Sequence, residues 1–383
     1  MTVDDVDLAA FRTRVEAFLG GSLDSGIACP AYGAILPPAL HDRARAWQRH
    51  VHASGFAGLH WPAAYGGQGL GHEHTAIWLE ECARASVSPQ LNIQGLVLAG
   101  EAILRSGTEA QRQRFLPATL SGEILWCQLF SEPDAGSDLA SLRTTATPDG
   151  RGDGYVVEGR KVWSSNAELA EHGILLARTD PHQPGHRGIS FFLLDMSSPG
   201  VTVRPIRQMT GDHEFNEVIL DQVLLPGEAL LGPENGGWQV AMDVLTDERG
   251  SSAAGLIALE RRLALLREQA GDEPARRDRL MQTYARGQAL RAMLLRSDAG
   301  AAGSSAAKLL RSELEVDLEL QVADLRGADA LLGGPATDRF LYAPGMRIAG
   351  GTSEIQRNII GERILTLPRE PKPRPNPTPG PEV

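Results

Sequence analysis

Over the first 122 residues apolar positions recur with helical spacing, interrupted by "HWPAAYGGQGLG" (60–71), where prolines and glycines punctuate a loop. From about 123 to 230 the period changes. The runs "GYVVEGRKVWSSN", "GILLARTD", "GISFFLLDM", "GVTVRPI" and "FNEVILDQVLL" are short, rich in β-branched and aromatic residues, and separated by Gly, Pro and Asp, which predicts a compact β unit. From 234 the helical period returns, with segments over 238–269, 274–297, 301–333 and 353–365. The predicted class is α+β: a β module (123–230) set between a helical unit (1–122) and a second one (231–368). The last fifteen residues, "REPKPRPNPTPGPEV", hold six prolines and almost nothing apolar, so 369–383 is expected to be a disordered tail.

Composition narrows the picture further. A chain of 383 residues that is 42% hydrophobic can bury a large core and should divide into two or three units. A formal net charge of -11 argues against a nucleic-acid or an anionic-membrane partner, since both need a basic face. Cys29, Cys82 and Cys127 show no CxxC spacing, and an odd number cannot form a full disulfide framework, so all three are expected as reduced packing residues and no metal site is expected. The start, "MTVDDVDLAAFRTRVEAFLG", is acidic and amphipathic, unlike a signal or transit peptide, and no apolar run approaches the roughly 18 residues of a membrane span. A soluble, cytoplasmic protein is the expectation.

Three stretches carry candidate chemistry. In "CQLFSEPDAGSDLASLRTTA" (127–146) a strand-like run ends at Ser131, and an acidic, glycine-containing loop follows with hydroxyls at Ser131, Ser137 and Ser141. Such a loop can cradle a phosphate through backbone N–H groups and hydroxyls, or it is an ordinary Asp/Gly/Ser turn. In "KVWSSNA" (161–167) Trp163 with its neighbouring serines suits the wall of a flat heterocycle, although Trp163 alone reads as a core residue rather than a wall. In "LTDERGSSAAG" (245–255) Glu248 and Arg249 sit inside a helical pattern. Steps of three and four put Trp238, Ala241, Leu245, Glu248 and Ser252 on one mostly apolar stripe, where desolvation would raise a carboxyl group's pKa towards that of a general base. A structural ion pair of Glu248 with a bundle neighbour is the alternative. A direct contact with Arg249 is disfavoured, because adjacent helical residues do not face each other.

The order of the motifs "WPAAYGGQG", "SEPDAGSD", "KVWSSN" and "GGTSEIQRNIIGERIL" resembles the acyl-CoA dehydrogenase family over essentially the whole chain apart from the tail. The resemblance implies a helical N-terminal domain, a middle β-barrel and a C-terminal four-helix bundle that bind FAD, in a homotetramer or an α2β2 heterotetramer. It also implies α,β-dehydrogenation of an acyl-CoA, with electrons leaving to an electron-transfer flavoprotein. Carried over position by position, Ser131 matches a hydroxyl beside the flavin pyrimidine, Ser137 a serine near the pyrophosphate, Trp163 the wall of the isoalloxazine and Ser165 the hydroxyl beside N5. Thr352 matches a residue on the flavin side of the site, and Phe130, Gly136 and Glu354 adjoin these positions and are assigned to the same cofactor site. Donors aimed at a flavin tune and orient it. Ser353 and Gln356 have the S-x-x-Q spacing of a capping box, which predicts a helix start there.

Many members of that family carry the catalytic glutamate just before "GTS", where this chain has Gly350. The isovaleryl and long-chain enzymes place it on the earlier helix immediately before an arginine, which corresponds to Glu248 and Arg249 here. By that resemblance Glu248 removes the α-proton and Arg249 supports it, while the backbone N–H of Gly350 polarises the thioester carbonyl. The stretch "LRGADALLGGPATD" (325–338) departs from the family pattern for the adenine end of FAD. The motif combination most resembles bacterial members of that family, some of which degrade sterols or other bulky acyl chains. Two rivals stand beside this reading: a flavin oxidase or monooxygenase on the same scaffold, and one subunit of a heterotetrameric enzyme.

Overall fold

Helical spacing in the first third of the chain produces α1 (Val3–Asp24), α2 (His41–Ala53), α3 (His72–Ala85), α4 (Gly100–Ser106) and α5 (Glu109–Ser121), with a π-helical segment, Gln94–Ala99, running straight into α4. The structure is a computed structural model. It describes residues 3–32, 35–91, 93–150, 152–250, 259–260, 262–264, 266–268, 273–294 and 300–369, excluding the side chains of 3–6, 247–250 and 300–302. Aromatic packing ties these helices together, with Phe18 stacked on Trp47 at 5.6 Å and Phe56 on Trp78 at 5.2 Å. The loop over 60–71 folds around buried Trp61, whose indole N–H donates to Glu101 at 2.9 Å.

The five β-branched runs become β3 (Tyr155–Ser165), β4 (His172–Arg178), β5 (Ile189–Asp195), β6 (Val201–Ile206) and β7 (Phe215–Leu225), preceded by β1 (Trp126–Leu129) and β2 (Thr145–Pro148). They form one sheet of order β1-β4-β2-β3-β7-β6, with β5 paired to β4. Most pairs are antiparallel, and β1 runs parallel to β4 in a register that sets Cys127 against Gly173. The apolar continuity of β4 and β5 has a physical cause: both faces are covered. Ile174, Leu176, Phe191 and Leu193 pack into the core of the N-terminal helices. Leu175, Ala177, Phe192 and Leu194 pack into a second core within the sheet.

The chain then returns to helix as α6 (Gly237–Gly250), α7 (Pro274–Leu294), α8 (Gly300–Arg326), α9 (Pro335–Met346) and α10 (Ser353–Ile359), which ends in a π-helical turn Ile360–Ile364. Val240, Ala241 and Val244 of α6 join the first core, whereas Leu280 and Leu290 of α7 and Ala307, Leu314 and Leu318 of α8 build a third with Leu259, Leu263 and Leu266. Two expectations change. The helix expected over 301–333 ends at Arg326, where Gly327 takes a positive φ of 54°, and a separate helix starts at Pro335 after Gly333 and Gly334. The Gly-Gly-Pro sequence reads as a loop but acts as a helix start, because proline at the first helical position gives up an N–H that would have no intrahelical partner. Of the segment expected over 238–269, residues 251–258 lie outside the described residues, as does the tail from 370. Among the described residues no helix is long and apolar enough to cross a membrane and no group of side chains could hold a metal. The three cysteines are free and buried.

One buried ion pair ties β3 to the loop after β1. Lys161 of β3 is fully buried, and its Nζ lies 2.8 Å from Glu132 Oε1 and 3.1 Å from the Phe130 carbonyl oxygen. Glu132 also accepts the backbone N–H groups of Arg143 (2.7 Å) and Thr144 (2.9 Å). Burial pulls the Lys161 ammonium down to about 8, against the pull of Glu132. Burial acts to raise the Glu132 carboxyl, but the charge and hydrogen bond of Lys161 and the donors of Thr144 and Arg143 together hold it below its ordinary 4.5.

Lys161→Met leaves Glu132 buried without its cation and should cost about 3–5 kcal/mol in urea unfolding. The sign of the pH dependence should also change. In the wild type, Glu132's folded value is depressed, so its contribution is complete above its ordinary 4.5 and is lost as the pH falls through the folded value. In Lys161→Met, burial raises it above 4.5, so acidification from neutral pH through that raised value should recover stability relative to wild type. Urea midpoints at a series of pH values check this, and parallel curves would refute it.

Candidate functional site

The loop after β1 is shaped by the buried pair. Glu132 and Ala135 exchange backbone hydrogen bonds at 3.0 and 3.1 Å, closing a tight turn, and the Ser131 carbonyl accepts from Val162 N–H at 2.9 Å. Residue 131 is thereby joined to the strand that carries Trp163. Because Glu132 holds the loop from inside, Gly136 and Ser137 are left exposed, with open space where a Cβ would stand on Gly136. The Phe130 ring is turned into the core, edge-on to Phe191 at 5.8 Å, and its carbonyl is taken by Lys161.

Trp163 sits where the β3/β7 register breaks, between Lys161 and Ser164. Its φ is 61°, a left-handed value that costs a bulky residue roughly 1–3 kcal/mol and is typical of functional positions. The bulge turns the indole outward: it is 58% exposed and meets Phe215 edge-on at 5.9 Å. That exposure argues against the reading of Trp163 as a core residue. Ser164 points inward, fully buried, with no hydrogen-bond partner for its hydroxyl, and Ser165 is half-buried. Asn166, also left-handed at φ 52°, closes the segment. Its amide donates to the Leu36 carbonyl at 2.8 Å and accepts from Leu36 N–H at 3.1 Å, tying the strand end to the N-terminal unit.

The second cluster lies at the start of α10. Gly350 and Gly351 take φ values of 65° and 93°, and a Cβ on Gly351 would stand 2.6 Å from Gln356 Nε2. Gly351 needs glycine on both counts, whereas Gly350 is favoured by its left-handed φ alone. The helix cap is Thr352, not Ser353 as the spacing suggests: Thr352 Oγ1 accepts from Ile355 N–H at 3.2 Å. Thr352 has the extended backbone that a cap requires, and Ser353 is already the first helical residue, buried with its hydroxyl unpartnered. Gln356 does not complete a capping box. Its Nε2 donates to the carbonyl of Gly350 at 3.0 Å, while Lys308 Nζ donates to the carbonyl of Gly351 at 2.6 Å. Glu354 is exposed and faces Arg357 at 3.9 Å, and hydrogen bonds from its own N–H and from Thr352 hold its carboxyl below the usual range.

Glu248 and Arg249 belong to the backbone of α6, and their side chains lie outside the described residues. On the helix, position 248 follows Val244 by four and Leu245 by three, continuing the stripe that packs towards β5 and the π-helical segment.

The exposed indole and the open main chain at Gly136, joined through the Ser131–Val162 hydrogen bond, fit a flat heterocycle that carries a phosphate-bearing tail. Sequence reasoning passed over Glu132, Lys161, Asn166 and Lys308. A lysine at an inward position of an alternating strand was the one available signal.

Three domain descriptions of one family cover most of the chain: "Acyl-CoA dehydrogenase, N-terminal domain" over 35–123, "middle domain" over 127–223 and "C-terminal domain" over 235–365. Acyl-CoA dehydrogenase IpdE1 of Mycolicibacterium smegmatis is 37% identical, covering 96% of this chain and all of its own length. Its namesake in Mycobacterium tuberculosis is 38% identical, covering 96% and 99%. Among solved structures, the Tcur3481-Tcur3483 steroid ACAD superposes with a TM-score of 0.79 at 26% identity, covering 95% of this chain and 98% of that one. The ChsE4-ChsE5 complex from Mycobacterium tuberculosis superposes with a TM-score of 0.78 at 27% identity, covering 97% and 99%. The chain belongs to the acyl-CoA dehydrogenase family, FAD-dependent oxidoreductases acting on the CH–CH group.

Proposed function

We propose that this chain binds FAD and dehydrogenates an acyl-CoA between its α and β carbons to the trans-2-enoyl-CoA, with Glu248 as the base. The observation that carries the reading is the conformation of Gly350. The position where many relatives hold their glutamate is here a left-handed glycine that forms a tight turn with Gly351 before α10. A side chain there would cost roughly 1–2 kcal/mol of backbone energy, so the acid comes from elsewhere. Glu248 lies on the stripe of α6 that continues the buried face.

FAD, when bound, supplies the acceptor for the two electrons and the β-hydrogen. The chain's own part is positioning. Trp163 offers its open face as a wall, with Phe130 and Ser131 on one side and Ser165 on the other. Gly136 and Ser137 offer N–H and hydroxyl donors suited to a pyrophosphate, and Thr352 and Glu354 border the site from α10. Glu248 takes the α-proton, Arg249 holds the charge balance of its helix, and the N–H of Gly350 polarises the thioester carbonyl, whose oxygen gains negative charge as the proton leaves.

A bulky, steroid-like acyl group is the proposed substrate class, supported by the similarity to a steroid ACAD and by the absence of a side chain at both Gly350 and Gly351. Both structural neighbours named above are pairs of different chains, which supports an α2β2 assembly over a homotetramer. Electron-transfer flavoprotein is the proposed acceptor and the cytoplasm the proposed compartment.

Anaerobic titration with straight, branched and steroid-type acyl-CoAs, followed by flavin absorbance, tests the reading; the steroid-type thioester should bleach the flavin fastest. Glu248→Gln should keep its FAD and bind the thioester but bleach about 10²–10⁴-fold more slowly, and near-normal bleaching would remove Glu248 from its role. Trp163→Ala should lower the FAD bound per subunit, whereas unchanged flavin content would show that the indole is not the wall.

A further inference from the structure

The mechanism above asks much of a glycine pair, the most freely rotating dipeptide a chain contains. Gly350 must present its N–H in one direction, yet nothing in a Gly-Gly sequence holds it there. The structure supplies three restraints from outside the pair. Ser353 N–H closes back on the Arg347 carbonyl at 3.1 Å, Gln356 Nε2 holds the Gly350 carbonyl at 3.0 Å and reaches the Gly351 carbonyl at 3.4 Å, and Lys308 Nζ holds the Gly351 carbonyl at 2.6 Å. The first two come from the same turn and would move with it. Lys308 comes from α8, 43 residues earlier, and its neighbours Ser305 and Ala307 are buried. It therefore ties the turn to a helix anchored in the bundle core.

Resting on the proposed function, we propose that Lys308 is the positioning residue of the oxyanion-type donor. It locks the peptide plane after Gly351 so that the pair keeps its left-handed path and the Gly350 N–H stays aimed at the thioester oxygen. It also places an ammonium charge two peptide planes from the point where negative charge develops. Fixed donors are effective because they are already oriented when charge forms. A misplacement on the order of 1 Å costs as much as 10²-fold in rate.

The test is anaerobic single-turnover bleaching of the FAD-loaded protein by the best acyl-CoA of the panel, together with hydrogen exchange of the backbone over 347–357. Lys308→Met should bleach about 10- to 100-fold more slowly at saturating thioester, with unchanged FAD content and thioester affinity. Its 347–357 amides should exchange faster. Lys308→Arg, which keeps a cation and donors, should regain most of the rate. Three results would overturn the proposal. One is bleaching of Lys308→Met at the wild-type rate; another is slow bleaching that only parallels lost FAD or lost folding in both variants. The third is a wild type that no acyl-CoA bleaches, which overturns the proposed function and this inference with it, whereas the first two leave that function standing.

Discussion

The buried ion pair of Lys161 with Glu132 is the constraint on which the side of the molecule that carries Trp163 and the Gly136–Ser137 loop depends. Two charges taken out of water must find each other, because either one alone costs several kcal/mol. Glu132 immediately follows Ser131, and Lys161 precedes Trp163 by two residues. The pair therefore sets how the loop after β1 lies against β3. Glu132 has further lone pairs to satisfy and uses them on the N–H groups of Arg143 and Thr144, which pulls the far end of the loop inward. What remains outside is the Gly136–Ser137 stretch on one side and the bulged Trp163 on the other. The residues that would face a cofactor are held by a pair that would not touch it.

The turn before α10 solves the opposite problem. There the chain gives up side chains altogether at two successive positions and keeps only main-chain donors and acceptors. Its carbonyls are bound to Lys308 and Gln356, while the N–H groups are left to what enters the site. Separating the donor from the base has a geometric consequence. In the proposed mechanism the polarising N–H would sit on a turn tied to α8, and the acid on α6, which packs towards β5 and the π-helical segment. Substrate shape is then read between two elements rather than at one.

How legible this was in the sequence varies with the kind of signal. β3 to β7 stand at the five expected runs because alternation and turn residues are local properties. The helix over Pro335–Met346 was hidden, since the residues that open it are the ones that usually end helices. The cap fell on Thr352 rather than Ser353 because a hydroxyl is only a candidate until the backbone turns extended there. The ion pair joins residues 29 apart in sequence, and its one signal, the inward position of Lys161 in the alternation, does not name the partner. Trp163 alone reads as a core residue, and only its left-handed bulge overturns that reading. For Glu248 the stripe on α6 was visible, but its role came from resemblance alone, and its side chain lies outside the described residues.

The N-terminal helices, the sheet and α6 do not pack as separate bodies, whereas α7 and α8 build a core of their own. The first core runs from Phe11 and Trp47 through Ile174 and Phe191 of the sheet to Val240 and Val244 of α6. Polar ties cross the same boundaries through main-chain atoms: Asn166 grips both backbone groups of Leu36, and Gln111 donates to the carbonyls of Glu228 and Leu230 at 2.9 Å each. Such ties carry no chemistry of their own. They matter because a loop, a strand bulge and a helix keep sub-ångström geometry only if their supports share one rigid interior. Shared packing between the sheet, the N-terminal helices and α6 is what lets the strain at Trp163 persist, since a local relaxation there would have to disturb Asn166 and the core behind it.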